Sequence, residues 1–238
     1  MTQSHYLERV HFSEVDMPRV SEEYYEMKKK EIIDAAYRVC LKKPITAIEM
    51  KDVIAEAGFS HGVIYRYYKD LDEVLSDLVI RINTENRLDG RVEKILSDAG
   101  IENWEKGIRD ICSGMADYLQ EVGFDLLKVT IYCDVLAMSD PERVLRIAEK
   151  LGNDVQSPLL YLVNRLSEYL TEAVKKNKLK PVKSIKEIME FFIASYHGIQ
   201  TGYVLTESYK AEHIRGNYKP TEMFSCLAES MILMMGGR

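Results

Sequence analysis

Apolar residues recur at three- and four-residue intervals along almost the whole chain, and strand-like alternation is nearly absent, so the pattern predicts an all-α protein. Between Lys28 and Leu41, Ile32, Ala35, Ala36, Val39 and Cys40 share one stripe, and Pro44 stops the helix they define. Met50, Val53, Ile54 and Ala57 form a second short stripe. It ends at Gly58, where a glycine supplies the left-handed residue of a helix C-terminus. Ser60 is then an N-cap for a third helix, with Phe59 placed to staple onto Ile64. Two short amphipathic helices separated by about three residues form a helix-turn-helix, whose second member can enter a major groove. Val74, Leu75, Leu78 and Ile82 start a longer fourth helix leading away from this unit.

Further helices are expected at Glu102 to Gln120, Phe124 to Met138, Glu142 to Leu151, Asp154 to Lys176, Ser184 to Thr206 and Thr221 to Met235. Gly100, Gly123, Asp140-Pro141, Gly152, Lys180-Pro181 and the stretch from Glu207 to Pro220 separate them. The expected organisation is an N-terminal extension over 1–27, partly disordered, a helix-turn-helix domain over 28–74, and a ligand-binding and dimerisation domain over 75–238. Residues 1–16 do not continue the helical pattern. Tyr6 and Phe12 there suit either a frayed end or an arm toward DNA.

Charge sharpens the picture. The chain carries a net charge of −6, yet Lys28 to Asp70 holds nine basic residues (Lys28, Lys29, Lys30, Arg38, Lys42, Lys43, Lys51, Arg66, Lys69) against six acidic ones (Glu31, Asp34, Glu49, Asp52, Glu56, Asp70). A segment at +3 on a remainder at −9 is the polarity of a protein that meets phosphates at one end. No apolar run long enough for a membrane span and no signal-peptide layout is present, which predicts a cytoplasmic protein with no membrane partner. Cys40, Cys112, Cys133 and Cys226 are far apart and lack metal spacing, so they are expected as reduced thiols, and neither metal nor cofactor is expected. The absence of HExxH, paired ExxH, GxSxG and a phosphate-cradling loop argues against an enzyme.

From Lys28 to Leu75 the chain resembles the DNA-binding domain of the tetracycline-repressor (TetR) family. The likeness is carried by Val53-Ile54-Ala55-Glu56-Ala57-Gly58, the turn Phe59-Ser60, and Gly62-Val63-Ile64-Tyr65-Arg66-Tyr67-Tyr68. The resemblance implies a ligand-responsive repressor that binds a palindromic double-stranded DNA operator as a homodimer. The alternative is a helical interaction module or an activator with altered DNA binding. His61, Gly62 and Val63 occupy the first turn of the recognition helix, where base edges are read. Val63 suits a thymine methyl, and His61 or Arg66 can hydrogen-bond bases. The resemblance assigns Tyr65, Tyr67 and Lys69 to phosphate, and Thr46 and Ser60 complete the expected DNA-binding set. Ile64 and Tyr68 are expected in the core. Two departures from the family pattern stand out. Leu71 replaces a phosphate-contacting lysine, and Ile48-Glu49 replaces the residue that opens the second helix. Thr46 and Glu49, at capping-box spacing, would start that helix a turn early.

In the body, Phe191 to Leu205 carries no charge, and Gly198 and Gly202 sit four apart. With the apolar last helix, this segment is expected to form half of an intermolecular four-helix bundle, the arrangement the resemblance implies. Its expected interface comprises Phe192, Tyr196, Ile199, Gly202, Tyr203, Phe224, Leu227 and Met231. A pocket for a small molecule of unidentified chemistry is expected among Trp104, Tyr118, Tyr132, Asp134, Met138 and Tyr161. Asp134 interrupts an apolar helix and would attract a cation unless it serves a structural role.

Overall fold

A computed structural model describes residues 21–151, 156–209 and 218–237. Among them every regular element is helical, and no helix is long and apolar enough to cross a membrane. Helix α1 (Glu22–Lys42) is capped by Ser21, whose hydroxyl accepts the Tyr24 N–H at 3.2 Å. Glu22 and Glu23 lie in its first turn and Lys42 in its last, matching the helix dipole. It starts six residues before the expected Lys28, because its first turns are exposed and carry no apolar stripe. Glu22 to Met27 are therefore continuous with the first helix of the head. Residues 1–20, with Tyr6 and Phe12, lie outside the described residues.

After Pro44 a 3₁₀ turn (Ile45–Ala47) precedes α2 (Met50–Ala57). The capping box of α2 is Glu49 with Asp52, so the helix does not start early at Thr46. Gly58 closes α2 in the left-handed conformation (φ 69°). Recognition helix α3 (His61–Ile64) is a single turn. The chain then tightens: the Arg66 N–H donates to the Val63 carbonyl and the Tyr67 N–H to that of Ile64, in 3₁₀ fashion. This lets Ile64 and Tyr68 both turn into the core, as expected.

Helix α4 (Leu71–Glu85), capped by Asp70, ends at Asn86, whose side-chain amide and backbone N–H both donate to the Ile82 carbonyl. Leu88 then plugs the body core, and α5 (Asp89–Ala99) runs in a new direction to Gly100. The pattern missed this break because Asn86 to Leu88 contains neither glycine nor proline. Helix α6 (Trp104–Ser139) is kinked at Gly123, where φ is 80°. Helices α7 (Pro141–Leu151), α8 (Pro158–Lys175), α9 (Ile185–Tyr209) and α10 (Pro220–Met234) complete the body.

Two hydrophobic clusters organise the molecule. The larger joins the first half of α6 to α5, α8, α9 and α10, around Ile108, Leu119, Leu166, Phe192, Phe224 and Met231. The smaller holds the head together around Ile32, Val53, Ile64 and Tyr68, but it also takes in Val129 and Leu136 of α6 and Ile147 of α7. Packing thus runs across the expected boundary at residues 74–75: the head's cluster continues through α4 onto the second half of α6 and α7, beside the separate cluster of the body.

Candidate nucleic-acid interface and body cavities

The expected DNA-contacting residues gather at one end. Thr46, Ser60, His61, Gly62, Tyr65, Arg66 and Lys69 are exposed, while Val63 and Tyr67 are half-buried. Tyr65 is 51% exposed, although the neighbouring Ile64 is fully buried. Nothing lies within 4 Å of where a Gly62 Cβ would sit, so the recognition turn presents open backbone. Tyr67 packs against Tyr25 with ring centroids 4.9 Å apart, which anchors the recognition turn to the early part of α1. Tyr68 donates to Asp77 at 2.9 Å, and Lys29 pairs with the same carboxylate at 2.7 Å. Burial and that carboxylate hold the Tyr68 phenol far above its ordinary range.

The positive surplus of the head is smaller in effect than in count. Arg38 and Lys42 both bind Glu56, Lys43 binds Asp52, Lys51 binds Glu49, and Lys28 binds Glu31. The pairs to Glu56 and Asp52 tie α2 to α1 and its end and hold those two carboxyls below their usual range. Arg66 and Lys69 take part in no ion pair among the described residues and stand beside the recognition turn. Leu71 is half-buried at the start of α4.

Of the expected pocket residues, the structure brings some together and not others. A cavity of about 180 Å³ is lined by Tyr118 and Asp134 with Asn83, Thr130, Tyr196 and Gln200. A neighbouring apolar cavity of about 280 Å³ lies between α4, α6 and α7 and again includes Asp134. Tyr161 borders a third, of about 230 Å³, and donates to Glu93 at 2.8 Å. Trp104 is buried in the core near Ile232 and Gly237, Met138 is 76% exposed, and Tyr132 packs on the head's cluster under Lys128. Those three line none of these cavities, so their assignment is corrected. Sequence reasoning missed Asn83, Thr130 and Gln200, polar residues spaced as ordinary helix-surface positions.

The residues expected at a dimer interface lie largely inside the chain's own core. Phe192, Tyr196, Ile199, Gly202, Phe224, Leu227 and Met231 are buried in the chain's own core, and Tyr203 is half-buried against it. Gly202 makes room for Tyr218 of the same chain, whose ring would meet an added Cβ at 2.7 Å. Gly198, by contrast, has nothing within 4 Å. Among the residues left uncovered are Phe191, Ala194, His197 and Gly198 on α9, with half-covered Thr201 and Leu205. On α10 they are Met223, Cys226 and Leu233, with half-covered Ser230. Apart from His197, both sets repeat at alternating three- and four-residue steps, the spacing of a helix-packing seam. Cys40 and Cys112 are buried as expected, with thiols pushed up to about 11 and about 12, whereas Cys226 is exposed.

Comparison with known proteins agrees with this geometry. Residues 32–78 match the family of bacterial regulatory proteins, tetR family. An uncharacterized HTH-type transcriptional regulator, YfiR of Bacillus subtilis, is 25% identical over 195 residues, covering 82% of this chain and 89% of its own. The fatty acid degradation regulator FadR from Bacillus halodurans shares the fold at a TM-score of 0.57 and 20% identity, covering 89% of this chain and 97% of its own. FadR from Bacillus subtilis, solved in complex with stearoyl-CoA, does so at a TM-score of 0.52 and 16% identity, covering 88% and 99%.

Proposed function

We propose that the chain is a transcriptional regulator of the TetR family, a repressor that binds a palindromic operator as a homodimer and releases it when a small molecule fills the body; the match of residues 32–78 and the similarity to YfiR support this reading. Tyr65, Tyr67, Arg66 and Lys69 hold phosphates, while His61, Gly62 and Val63 approach base edges. With a two-fold dimer, the two recognition turns address half-sites roughly one helical turn, about 34–36 Å, apart. The dimer forms along the uncovered seams of α9 and α10, with Gly198 allowing close approach between subunits.

The observation that carries the ligand response is the position of the apolar cavity. Ile45 and Leu75, Leu78, Val79 and Ile82 of α4 form one wall, and Val144, Ile147 and Leu151 of α7 another. Four of these, Ile45, Leu75, Leu78 and Ile147, belong to the hydrophobic cluster of the head. A molecule entering there pushes against the reading head itself, and any such coupling is reciprocal. The FadR–stearoyl-CoA complex supports reading a body of this fold as a ligand chamber.

Selection from a random duplex pool followed by mobility shift tests the reading. A palindrome should emerge, and Tyr65→Ala should weaken its binding by about tenfold or more with melting temperature unchanged. Gly198→Glu should yield a folded monomer by sedimentation that fails to bind. Unchanged operator affinity in Tyr65→Ala, or an intact dimer in Gly198→Glu, would refute the respective assignment.

A further inference from the structure

The two cavities along α6 share Ile82, Asn83, Thr130, Asp134 and Ser157, so they adjoin. The larger, of about 280 Å³, is walled by aliphatic side chains, Leu78, Val79, Val129, Leu136 and Ile147 among them. A void of about 150 Å³ with such walls accepts one benzene, so this one accepts a chain of roughly ten carbons. The smaller, of about 180 Å³, carries the polar groups. Gln200 and Tyr196 border it, four residues apart on one face of α9, and each is only 6% exposed.

The hydrogen bonds around Gln200 fix which way its amide points. The Thr130 hydroxyl donates its one hydrogen to the Leu127 carbonyl at 2.8 Å, so toward Gln200, at 2.6 Å, its oxygen can only accept. The Gln200 nitrogen therefore faces α6, where the Leu127 carbonyl also lies at 3.5 Å, and the amide oxygen is turned the other way as an acceptor for the cavity. The Tyr196 phenol beside it can donate. Both groups are neutral dipoles. The Cys133 thiol on the wall of the larger cavity is neutral too, pushed by burial up to about 12. Asp134 and His197 also border the space, but both are exposed, which puts them at its mouth in contact with water. An ionised head group drawn past them exchanges water for dipoles alone and loses by it. A hydroxyl does not, because it donates to the amide oxygen and accepts from the phenol at once.

We infer that the body binds an uncharged aliphatic molecule bearing a hydroxyl, with the hydroxyl between Gln200 and Tyr196 and the chain between α4, α6 and α7. This deepens the proposed function and rests on its reading of the body as a ligand chamber. Burial of the chain drives entry, and the neutral polar end selects against either sign of charge.

The test uses full-length protein and three probes of equal chain length, 1-decanol, decanoate and decyltrimethylammonium, titrated calorimetrically at mildly alkaline pH with both ions below their micellar concentrations. Decanol should bind one per chain and at least about tenfold more tightly than either ion. Val79→Phe, which fills the larger cavity, should abolish decanol binding without lowering the melting temperature. Gln200→Leu and Tyr196→Phe each remove one hydrogen-bonding group, and should weaken decanol about fivefold while leaving the two ions unchanged. Tyr196→Phe keeps the ring and its packing, so the head-group assignment is tested even if Val79→Phe does not fold. Tighter binding of either ion, no decanol binding by the wild type, undiminished binding in a folded Val79→Phe, or unchanged decanol affinity in both hydrogen-bond variants would overturn the inference. Operator affinity is measured on the same samples. Decanol held through Gln200 and Tyr196 that leaves operator affinity unchanged overturns ligand-controlled release and spares the binding site. Operator release by decanoate with no decanol binding does the reverse.

Discussion

The reading head and the body are built from the same kind of helix but use their charges and their space differently. In the head, carboxylates of α2 are spent on cations of α1, and the apolar interior closes around Ile32, Val53, Ile64 and Tyr68. In the body, apolar space opens along α4 where it faces α6 and α7. A rigid head keeps His61, Tyr65 and Arg66 at fixed spacing, whereas unfilled volume in the body leaves alternative packings within reach of a ligand. On the proposed function, the difference places the response at the joint shared by α4, the second half of α6 and α7, and not within the turn at His61–Ile64.

The sharpest way to break this comparison is to excavate each core. Phe192→Ala in the body and Ile64→Ala in the head, both fully buried, should each cost about 2–5 kcal/mol. Because Val129, Leu136 and Ile147 continue the head's core into the body, calorimetry should show one transition shifted in both variants; two separate transitions would show that head and body unfold independently. Next in size is Arg143→Leu. It removes the 2.7 Å partner of Asp72 across the α4–α7 joint, where the two side chains are 17% and 19% exposed, and should cost about 1–3 kcal/mol in urea unfolding. Operator affinity should change with it if the joint transmits the response.

Smaller again is Tyr68→Phe, which removes the phenol donor to Asp77 while Lys29 keeps the carboxylate paired. About 1 kcal/mol of stability should be lost, with the operator sequence preference unaltered. Glu56→Gln releases Arg38 and Lys42 from their shared carboxylate. The slope of operator affinity against salt should steepen by up to about two phosphate contacts, and an unchanged slope would place both cations away from DNA. The smallest effect is expected in acid. Asp52 and Glu56 have folded pKa values below their ordinary 3.8 and 4.5. Their contribution is therefore complete above those ordinary values and fades as pH falls through the lower folded ones. Melting temperature should drop in that window, and less so in a Lys43→Ala variant, which lacks the cation paired with Asp52.

Much of this molecule was legible in its sequence. The stripes of α1 and α2, the glycine at 58, the kink at Gly123 and the buried pair Ile64 and Tyr68 follow from helical periodicity and backbone chemistry. The exposed first turns of α1 were invisible because they bury little, and the Asn86 break because a side-chain amide makes it. The candidate DNA-contacting residues came out together since they lie within one short stretch of chain. The pocket residues came from distant helices, and Tyr118 and Asp134 border the same cavity while Trp104, Tyr132 and Met138 do not line it.

The uncharged stretch of α9 marks the limit most clearly. The sequence by itself determined that Phe191 to Leu205 would be an uncharged helix, as it determined the all-α fold and the helix-turn-helix, because these depend on neighbours along the chain. A helix apolar on every side has no pattern to say which face meets its own core. Tertiary packing made that choice: α6 and α10 cover Phe192, Tyr196 and Ile199, Tyr218 fills the notch at Gly202, and Phe191, Ala194 and Gly198 are left outside. Which face remains open is decided by what other helices bring to the contact, and no local reading of the chain contains that information.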